Sequence, residues 1–338
     1  MKTPKISVIM PFYDTHPLYL KKAVESVLGQ TFGDFELILL NDSPENKKLD
    51  EVIWSFKDKR IKYLKSDYTL GVAEAHNTLL KVAKGKYIAI MDHDDISLPH
   101  RLEKQYAYME AHKEVGICGT SYRRFGKLLK IKTIVHPQEH EKIKAALLFY
   151  CPLHHPSSMI RRALLEKFNI HYDKRFISLN DRKLYVDISK HARLHNLPDV
   201  LYKYRIHKKM TSKVHRNEIM KEQLRYRSFL LKRYGVRVSK EEEGILNTYI
   251  FNGRCRIKSE EILKKIELIL NKLIRKNHQT HFADETALKE LCGQYLIRRS
   301  KNAALKGFVS SRRILEKTAL PIKCPLWLKV FNALRSRI

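Results

Sequence analysis

The sequence predicts an α/β fold, a doubly wound and mostly parallel sheet followed by a basic helical C-terminal region. Three observations carry this prediction. Short apolar runs alternate with amphipathic stretches through the first third of the chain. Successive runs stop on polar residues, Asn41 and Asp42 after one, Asp92, Asp94 and Asp95 after another, as strands do along the carboxyl edge of an open parallel sheet. From about Asn217 the alternation gives way to charged, helix-forming sequence. The expected division is therefore a domain over 1–216 and a helical region over 217–338.

Taken in order, Ile6 to Phe12 reads as a buried strand. Leu18 to Gln30 follows as a helix with Leu20, Ala23, Val24, Val27 and Leu28 on one face. Phe35 to Leu40 is a second strand, Leu49 to Phe56 a polar helix, and Arg60 to Leu64 a third strand. Gly71 opens a helix over Val72 to Ala83 that Gly85 closes. Tyr87 to Met91 is too short to cross a membrane and rich in β-formers, so it is a buried strand. Beyond it the sequence predicts a helix over Pro99 to His112, a strand over Val115 to Phe125 and a helix over Glu139 to Tyr150. A helix from Asn180 to about His195 and a strand over Val200 to Ile206 complete the domain.

The strand Tyr87 to Met91 delivers three carboxylates to one point, and acids clustered there are placed to hold a divalent cation with hard oxygen ligands. A solvated acidic turn opening the next helix, with Pro99 at its first position, is the other reading of the same residues. The carboxyl edge also makes Asp42 and Asp94 expected neighbours.

Composition narrows the partners. The 338 residues are 43% hydrophobic and carry a formal charge of +30, which points to nucleic acid, an anionic membrane surface or a phosphorylated substrate. Residues 219–338 hold 27 Lys and Arg against 11 Asp and Glu, over half of that excess. The tail over 320–338 sets Leu326, Val330, Phe331 and Leu334 on one helical face beside Trp327, with Lys329, Arg335 and Arg337 as charges. Such a helix suits a membrane interface, and packing on the protein's own core is its alternative. Five scattered cysteines without a CxxC pair suggest neither disulfides nor zinc and fit a reducing cytosol. No run of about 18 apolar residues occurs, and the first apolar run is too brief for a signal segment. No zinc finger, RNP-like aromatic motif or Gly-Lys phosphate loop supports nucleic-acid binding, so none is expected.

Seven phrases, in one order, add a further signal: ISVIMPFYD (Ile6 to Asp14), AVESVLGQTFGDFELILLND (Ala23 to Asp42), RIKYLKSDYTLGVAEAHN (Arg60 to Asn77), AKGKYIAIMDHDDISLPHRLEKQ (Ala83 to Gln105), HHPSSMIRR (His154 to Arg162), Asn180 with Asp181, and PDVLYKYRIH (Pro198 to His207). Together they resemble the family-2 glycosyltransferases of bacterial polysaccharide and lipopolysaccharide assembly, over roughly the first 210 residues. The resemblance implies a GT-A fold, a nucleotide-sugar donor, Mn²⁺ or Mg²⁺, and inversion at the anomeric carbon of the sugar. It also implies a lipid-linked or lipopolysaccharide glycan acceptor and a peripheral position on the inner face of the cytoplasmic membrane.

Residue by residue, the resemblance implies that Pro11 and Tyr13 wall the nucleobase pocket and Asp42 hydrogen-bonds the base. A carboxylate accepts from the N3–H of uracil, which favours a uridine donor. Asn77 corresponds to an Asn near the nucleotide, Asp94 to the principal metal ligand, Asp92 to its partner at ribose or metal, and Asp95 to a supporting acid. Asp181 falls at the catalytic base, with a plain helix N-cap as its alternative. His155 matches a histidine near donor sugar or acceptor, and Arg205 and His207 match a late basic motif that folds back over diphosphate and metal. Ordinary exposed strand ends are the alternative for these three.

Four positions depart from the pattern. Asn41 stands where an acid is usual, His76 where an Arg is usual, Asn180 where the acid before the base is usual, and His93 where a small residue is usual. A family member that has lost catalysis and serves as an assembly partner is therefore the alternative to an active transferase. His93 is also a candidate nitrogen ligand that would favour Mn²⁺.

Overall fold

The computed structural model describes residues 3–126, 131–176, 178–207, 216–251, 257 and 259–304. The tail over 320–338, Cys255, Cys324 and most of the basic stretch 127–132 lie outside them. The chain divides into two compact units, 1–147 with 151–226, and 148–150 with 227–338.

The first unit opens with β1 (Ile6–Phe12), α1 (Pro17–Leu28), β2 (Phe35–Asn41), α2 (Lys47–Trp54), β3 (Ile61–Lys65), α3 (Val72–Val82) and β4 (Tyr87–Ile90). β1 pairs parallel with β2 on one side and β4 on the other, and β2 pairs parallel with β3. A strand covered on both faces needs apolar residues at every position rather than at alternate ones. That explains the unbroken runs in β1 and β2, where Ile6, Val8, Ile9, Met10, Leu37, Ile38 and Leu39 are all within 1% of complete burial. α1 lays Leu20, Ala23, Val24 and Val27 on this layer. Pro17 starts α1 and the His16 ring accepts the Leu18 N–H (3.2 Å), so the first turn is fixed by its own sequence. Gly85 is required by close approach, since a Cβ there would lie 2.4 Å from the backbone nitrogen of Ser7.

The remaining strands are β5 (Ile96–Ser97), β6 (Val115–Phe125), β7 (Lys132–Ile134), β8 (Met159–Arg161) and β9 (Arg193–Arg205). Among the described residues, one nine-stranded sheet runs β3-β2-β1-β4-β8-β6-β9-β5, with β7 on β6. β8 is antiparallel to β4 and β6, β6 and β9 are parallel, and β5 is antiparallel to β9. The helices are α4 (Arg101–Ala111), α5 (His140–Ala146), α6 (Arg162–Lys167) and α7 (Asn180–Ile188). The chain therefore leaves the middle of the sheet at β4 and regains it at the edge strand β5, carrying residues 91–95 along the carboxyl ends.

Most boundaries shift by one or two residues, the helix expected over Glu139 to Tyr150 stops at Ala146, and two shifts are larger. α7 ends at Ile188 rather than near His195, and β9 begins at Arg193 rather than Val200. Parallel pairing with β6 captures the earlier segment, beginning with the Arg193 N–H donated to the Glu114 carbonyl (2.9 Å). Pro198 cannot donate to a ladder, and the pairing steps from Leu197 to Val200 across it, an irregularity that lets one strand continue through a proline.

The C-terminal region is helical: α8 (Arg216–Arg233), α9 (Lys240–Ile245), a π-helical turn over Leu246–Phe251, α10 (Glu260–Thr280) and α11 (Glu285–Ala304). Ser239 and Glu242 form a capping box at α9. α10 buries Leu263, Ile266, Ile269, Leu270 and Leu273 along one stripe, the spacing of an amphipathic helix. No described helix is long and apolar enough to cross a membrane.

Candidate active site

Asp42 follows β2 and sits under the loop that joins β3 to α3. Its Oδ1 accepts the Leu70 N–H (2.7 Å) and its Oδ2 the Gly71 N–H (3.0 Å). Gly71 has φ +81°, a conformation open chiefly to glycine, so sequence and carboxylate fix the loop together. Asn41, fully buried, donates to Asp50 Oδ1 (2.6 Å) and accepts the Ser43 N–H (2.9 Å). Burial works against the charged Asp50, yet hydrogen bonds from Lys65, Tyr63 and Asn41 hold its carboxyl below the usual range. An acid at position 41 would meet that carboxylate head on.

The acids after β4 are differently served. Asp92, Asp94 and Asp95 each present a ligand oxygen, and these lie within 4.8 Å of one another. Asp95 is fully buried, its Oδ1 accepting the Arg205 N–H (2.7 Å) while its Oδ2 has no partner among the described residues. Burial first, then the charges of Asp94 and Asp92, push its carboxyl well up. Asp92 is pushed up to about 7 by burial and by its neighbours Asp94 and Asp181. Its backbone N–H donates to the Tyr202 hydroxyl (3.3 Å). Asp94 is opposed by burial but held below the usual range by its hydrogen bond with His207 and the charge of His93. The His207 Nε2 lies 2.7 Å from Asp94 Oδ2. Arg205 Nε donates to the Asp94 carbonyl (2.5 Å), with the guanidinium 4.2 Å from the Tyr19 ring centroid. The YRIH segment thus closes on the acid loop itself.

Three crowded carboxylate oxygens, two of whose groups have raised proton affinity through burial and the charge of Asp94, fit a divalent cation of hard oxygen preference. His93 turns elsewhere, its Nδ1 lying 3.2 Å from the Pro11 carbonyl, and the grouping among the described residues does not include it. Pro11 and His93 are thereby tied at the end of β1, and Tyr13 beyond them is 56% exposed, a free aromatic face.

Asp181 lies in the first turn of α7, and Leu179, not Asp181, holds the cap position. Its Oδ1 accepts the Arg182 N–H (2.6 Å), and the Cys151 thiol lies 3.7 Å from its Oδ2. Burial raises its carboxyl, which makes it a stronger base than an exposed aspartate. Beside it stands a wall of rings. His155 Nδ1 is 2.9 Å from the Tyr185 hydroxyl and its Nε2 is 3.3 Å from the Tyr172 hydroxyl. His76 packs on Tyr172 and His155 with centroids at 4.8 and 5.4 Å. Its Nδ1 lies 2.7 Å from the Val72 carbonyl, its Nε2 has no partner among the described residues, and burial pulls its pKa down to about 4. A neutral ring therefore occupies the place of the usual Arg. Asn77 clamps Tyr172, donating to its carbonyl and accepting its N–H, both at 2.9 Å, so its amide holds the ring wall in place.

A family model for glycosyl transferase family 2 matches residues 7–185. The chain belongs to that family. An uncharacterized glycosyltransferase of Methanocaldococcus jannaschii is 35% identical over 212 residues, covering 61% of this chain and 72% of that protein. The UDP-Glc:alpha-D-GlcNAc-diphosphoundecaprenol beta-1,3-glucosyltransferase WfgD of Escherichia coli is 31% identical, covering 55% of this chain and 70% of that protein. Among solved structures, S. aureus TarS 1-349 in complex with UDP-GlcNAc superposes with a TM-score of 0.57 at 16% identity, over 93% and 92% of the two chains. The transferase has the GT-A fold expected of its family, with the helical C-terminal region appended.

Several site residues had no clear mark in the sequence. Arg101 is completely buried beneath the acid loop, donating to the carbonyls of Ile90 (2.8 Å) and Ser158 (3.2 Å). It stands near enough to Asp92 to temper its raised pKa. On α4 it shares the buried face with Leu102, Gln105 and Met109. Tyr172 and Tyr185, close enough to Asp181 to be affected by its charge, come from segments without a motif, and Tyr202, beside Asp92, lies in the PDVLYKYRIH phrase without having been singled out there.

Proposed function

We propose that the transferase moves a sugar, with inversion, from a uridine diphosphate sugar to a hydroxyl of a lipid-linked or lipopolysaccharide glycan. The observation that carries this reading is the convergence of the Asp92, Asp94 and Asp95 carboxylate oxygens within 4.8 Å of one another, with Asp181 close enough to bear on Asp92. Asp94 and Asp92 would hold Mn²⁺ or Mg²⁺, with Asp95 behind them. What such a cation supplies is neutralisation of the charge that a departing nucleoside diphosphate gathers. Arg205 and His207 flank the same point, Pro11 and Tyr13 offer walls to the base, and Asp42 and Asn77 shape the loops beside it. Asp42 keeps lone pairs for a uracil N3–H even with its two backbone donors.

In this reading the Asp181 carboxylate takes the proton of the acceptor hydroxyl as that oxygen attacks the anomeric carbon opposite the leaving diphosphate. His155, neutral and fixed by two tyrosine hydroxyls, lines the sugar side. Residues 1–216 carry the catalysis and 217–338 the contact with an anionic membrane on its cytoplasmic face, with the tail over 320–338 as the anchor. The acceptor class is supported by the diphosphoundecaprenol substrate named for the E. coli relative, and the donor class by the UDP-GlcNAc complex of TarS. The Asn41 departure has a structural cause in Asp50 and gives no motive for a catalytically dead assembly partner.

A panel of nucleotide sugars, followed by mass spectrometry with and without Mn²⁺, tests the reading. Uridine donors should be consumed in a metal-dependent way, and Asp94→Ala and Asp181→Ala should each abolish transfer. Undiminished turnover in either variant would strip that aspartate of its role in metal binding or proton removal.

A further inference from the structure

A second cavity of about 280 Å³ lies behind the acid loop, on the face of the sheet where α1 meets β5 and β9. Lys22, Ile96, Arg123, Phe125, Lys203 and Arg205 are among its walls. The strand register assembles it. Arg123 stands opposite Lys203 and Phe125 opposite Arg205 across β6 and β9, while Ile96 stands opposite Lys203 across β5 and β9. Positions two apart share a face, so all five strand residues point to one side. Lys22 completes the ring from α1, one turn beyond Tyr19, whose ring carries the Arg205 guanidinium.

Among the described residues four cations line this cavity and no carboxylate does. Among the described residues, Lys22, Arg123 and Lys203 enter no ion pair and no side-chain hydrogen bond, and Arg205 Nη2 is buried without a partner. Like charges set directly across paired strands cost stability unless something between them is negative. Another basic cavity is served differently in part. It is lined by Lys86, Arg161 and Arg162 among others, and there Lys86 pairs with Glu110 (2.5 Å), Arg162 pairs with Glu166, and Arg161 donates to the carbonyls of Met109 (3.0 Å) and Val115. Lys5 and Lys84 on that cavity are without ion pairs among the described residues, so what sets the cavity at Arg205 apart is that three of its four cations are unpaired and stand around one space.

We propose that this cavity takes a phosphate or diphosphate group carried by the acceptor, separate from the diphosphate of the donor. The proposal rests on the transfer reading above and adds where the acceptor's charge goes. Arg205 links the two sites. Its Nε and backbone N–H hold the acid loop at Asp94 and Asp95, while the same side chain lines the cavity. Phe125 and Ile96 give the cavity an apolar floor suited to the carbon skeleton next to such a phosphate. Arg and Lys together favour phosphate, the former by its paired donors and the latter as a point charge.

The test uses the full chain saturated with UDP and Mn²⁺, so that the donor site is filled, and titrates inorganic pyrophosphate by calorimetry. Wild type should bind it, Arg123→Gln should weaken it about tenfold, and the triple variant Lys22→Gln, Arg123→Gln, Lys203→Gln should show no binding. UDP affinity and hydrolysis of the uridine donor should stay at the wild-type level in both, which also reports an intact fold. A parallel arm measures sedimentation with phosphatidylglycerol vesicles against phosphatidylcholine vesicles. Loss of vesicle binding together with pyrophosphate binding assigns the cavity to a lipid-borne phosphate, and loss of pyrophosphate binding alone assigns it to a soluble one. Equal pyrophosphate affinity in wild type and triple variant, or none in wild type, overturns the proposal. Failure of UDP to bind at all would instead strike the transfer reading.

Discussion

Asp42 and the acids Asp92, Asp94 and Asp95 close strands that flank β1 on either side, and they use their carboxylates in opposite ways. Asp42 spends both oxygens on backbone donors of the loop before α3, each within 3.0 Å. Asp95 leaves an oxygen unpaired among the described residues, and burial together with the charge of Asp94 raises the proton affinity of both Asp92 and Asp95. A satisfied carboxylate lowers the energy of one backbone conformation, whereas an unsatisfied buried cluster is costly until something positive joins it. The same kind of strand end therefore fixes a loop on one side of β1 and leaves a carboxylate group able to take a cation on the other.

Breaking the unsatisfied side should give the largest effect. Asp94→Asn is expected to lower transfer on the order of 10³-fold, because it removes one charge from the group facing the leaving diphosphate. Its thermal midpoint should hold or rise, since it relieves carboxylate crowding. Steady-state turnover beside calorimetric unfolding measures both.

The ring wall near Asp181 sharpens the comparison through pH. His76 titrates at about 4 in the folded chain against an ordinary 6.5 because burial disfavours its charged form. A histidine with a depressed folded pKa adds stability in full above 6.5 and loses it as pH falls toward 4. The shift amounts to about 3 kcal/mol, and burial pulls His155 down in the same direction. Denaturant unfolding between pH 7 and pH 4 should show the loss, and His76→Gln should flatten it.

On the satisfied side the effects are smaller and fall on stability. Asp42→Ala strands the N–H groups of Leu70 and Gly71 and should cost about 2 kcal/mol of unfolding free energy, with a raised KM for donor. Asn41→Asp, which restores the acid usual in the family, should destabilise by about 1 kcal/mol at neutral pH through repulsion with Asp50. Adding Asp50→Asn should recover most of that loss. A stable Asn41→Asp single variant would mean that the 2.6 Å contact to Asp50 does not govern position 41.

The parallel half of the sheet was legible because each strand there is a long apolar run covered on both faces, as in β1 and β2. The edge of the site was not. β5 has two residues and β8 three, too short to show any period, and they exist through pairing with β9, β4 and β6. β9 was read short because Pro198 argues against a strand until β6 supplies the register. Among site residues, the acids and the YRIH segment stood out by type and position, and Arg205 and His207 do meet the acid loop. What Asp42 and Asn77 bond to was not legible, since Leu70, Gly71 and Tyr172 offer backbone groups that any residue would offer. Arg101 was hidden for a related reason, because a lone arginine in a charged helix gives no sign that its guanidinium is buried.

The central claim is that Asp92, Asp94 and Asp95 hold a divalent cation together with the donor diphosphate, while Asp42 shapes the loop beside them. Electron paramagnetic resonance of Mn²⁺ titrated into the full chain with excess UDP tests it most directly. The account predicts one bound Mn²⁺ per chain in wild type and in Asp42→Asn, and none in Asp94→Asn. Undiminished Mn²⁺ binding in Asp94→Asn, or its loss in Asp42→Asn alone, would contradict it.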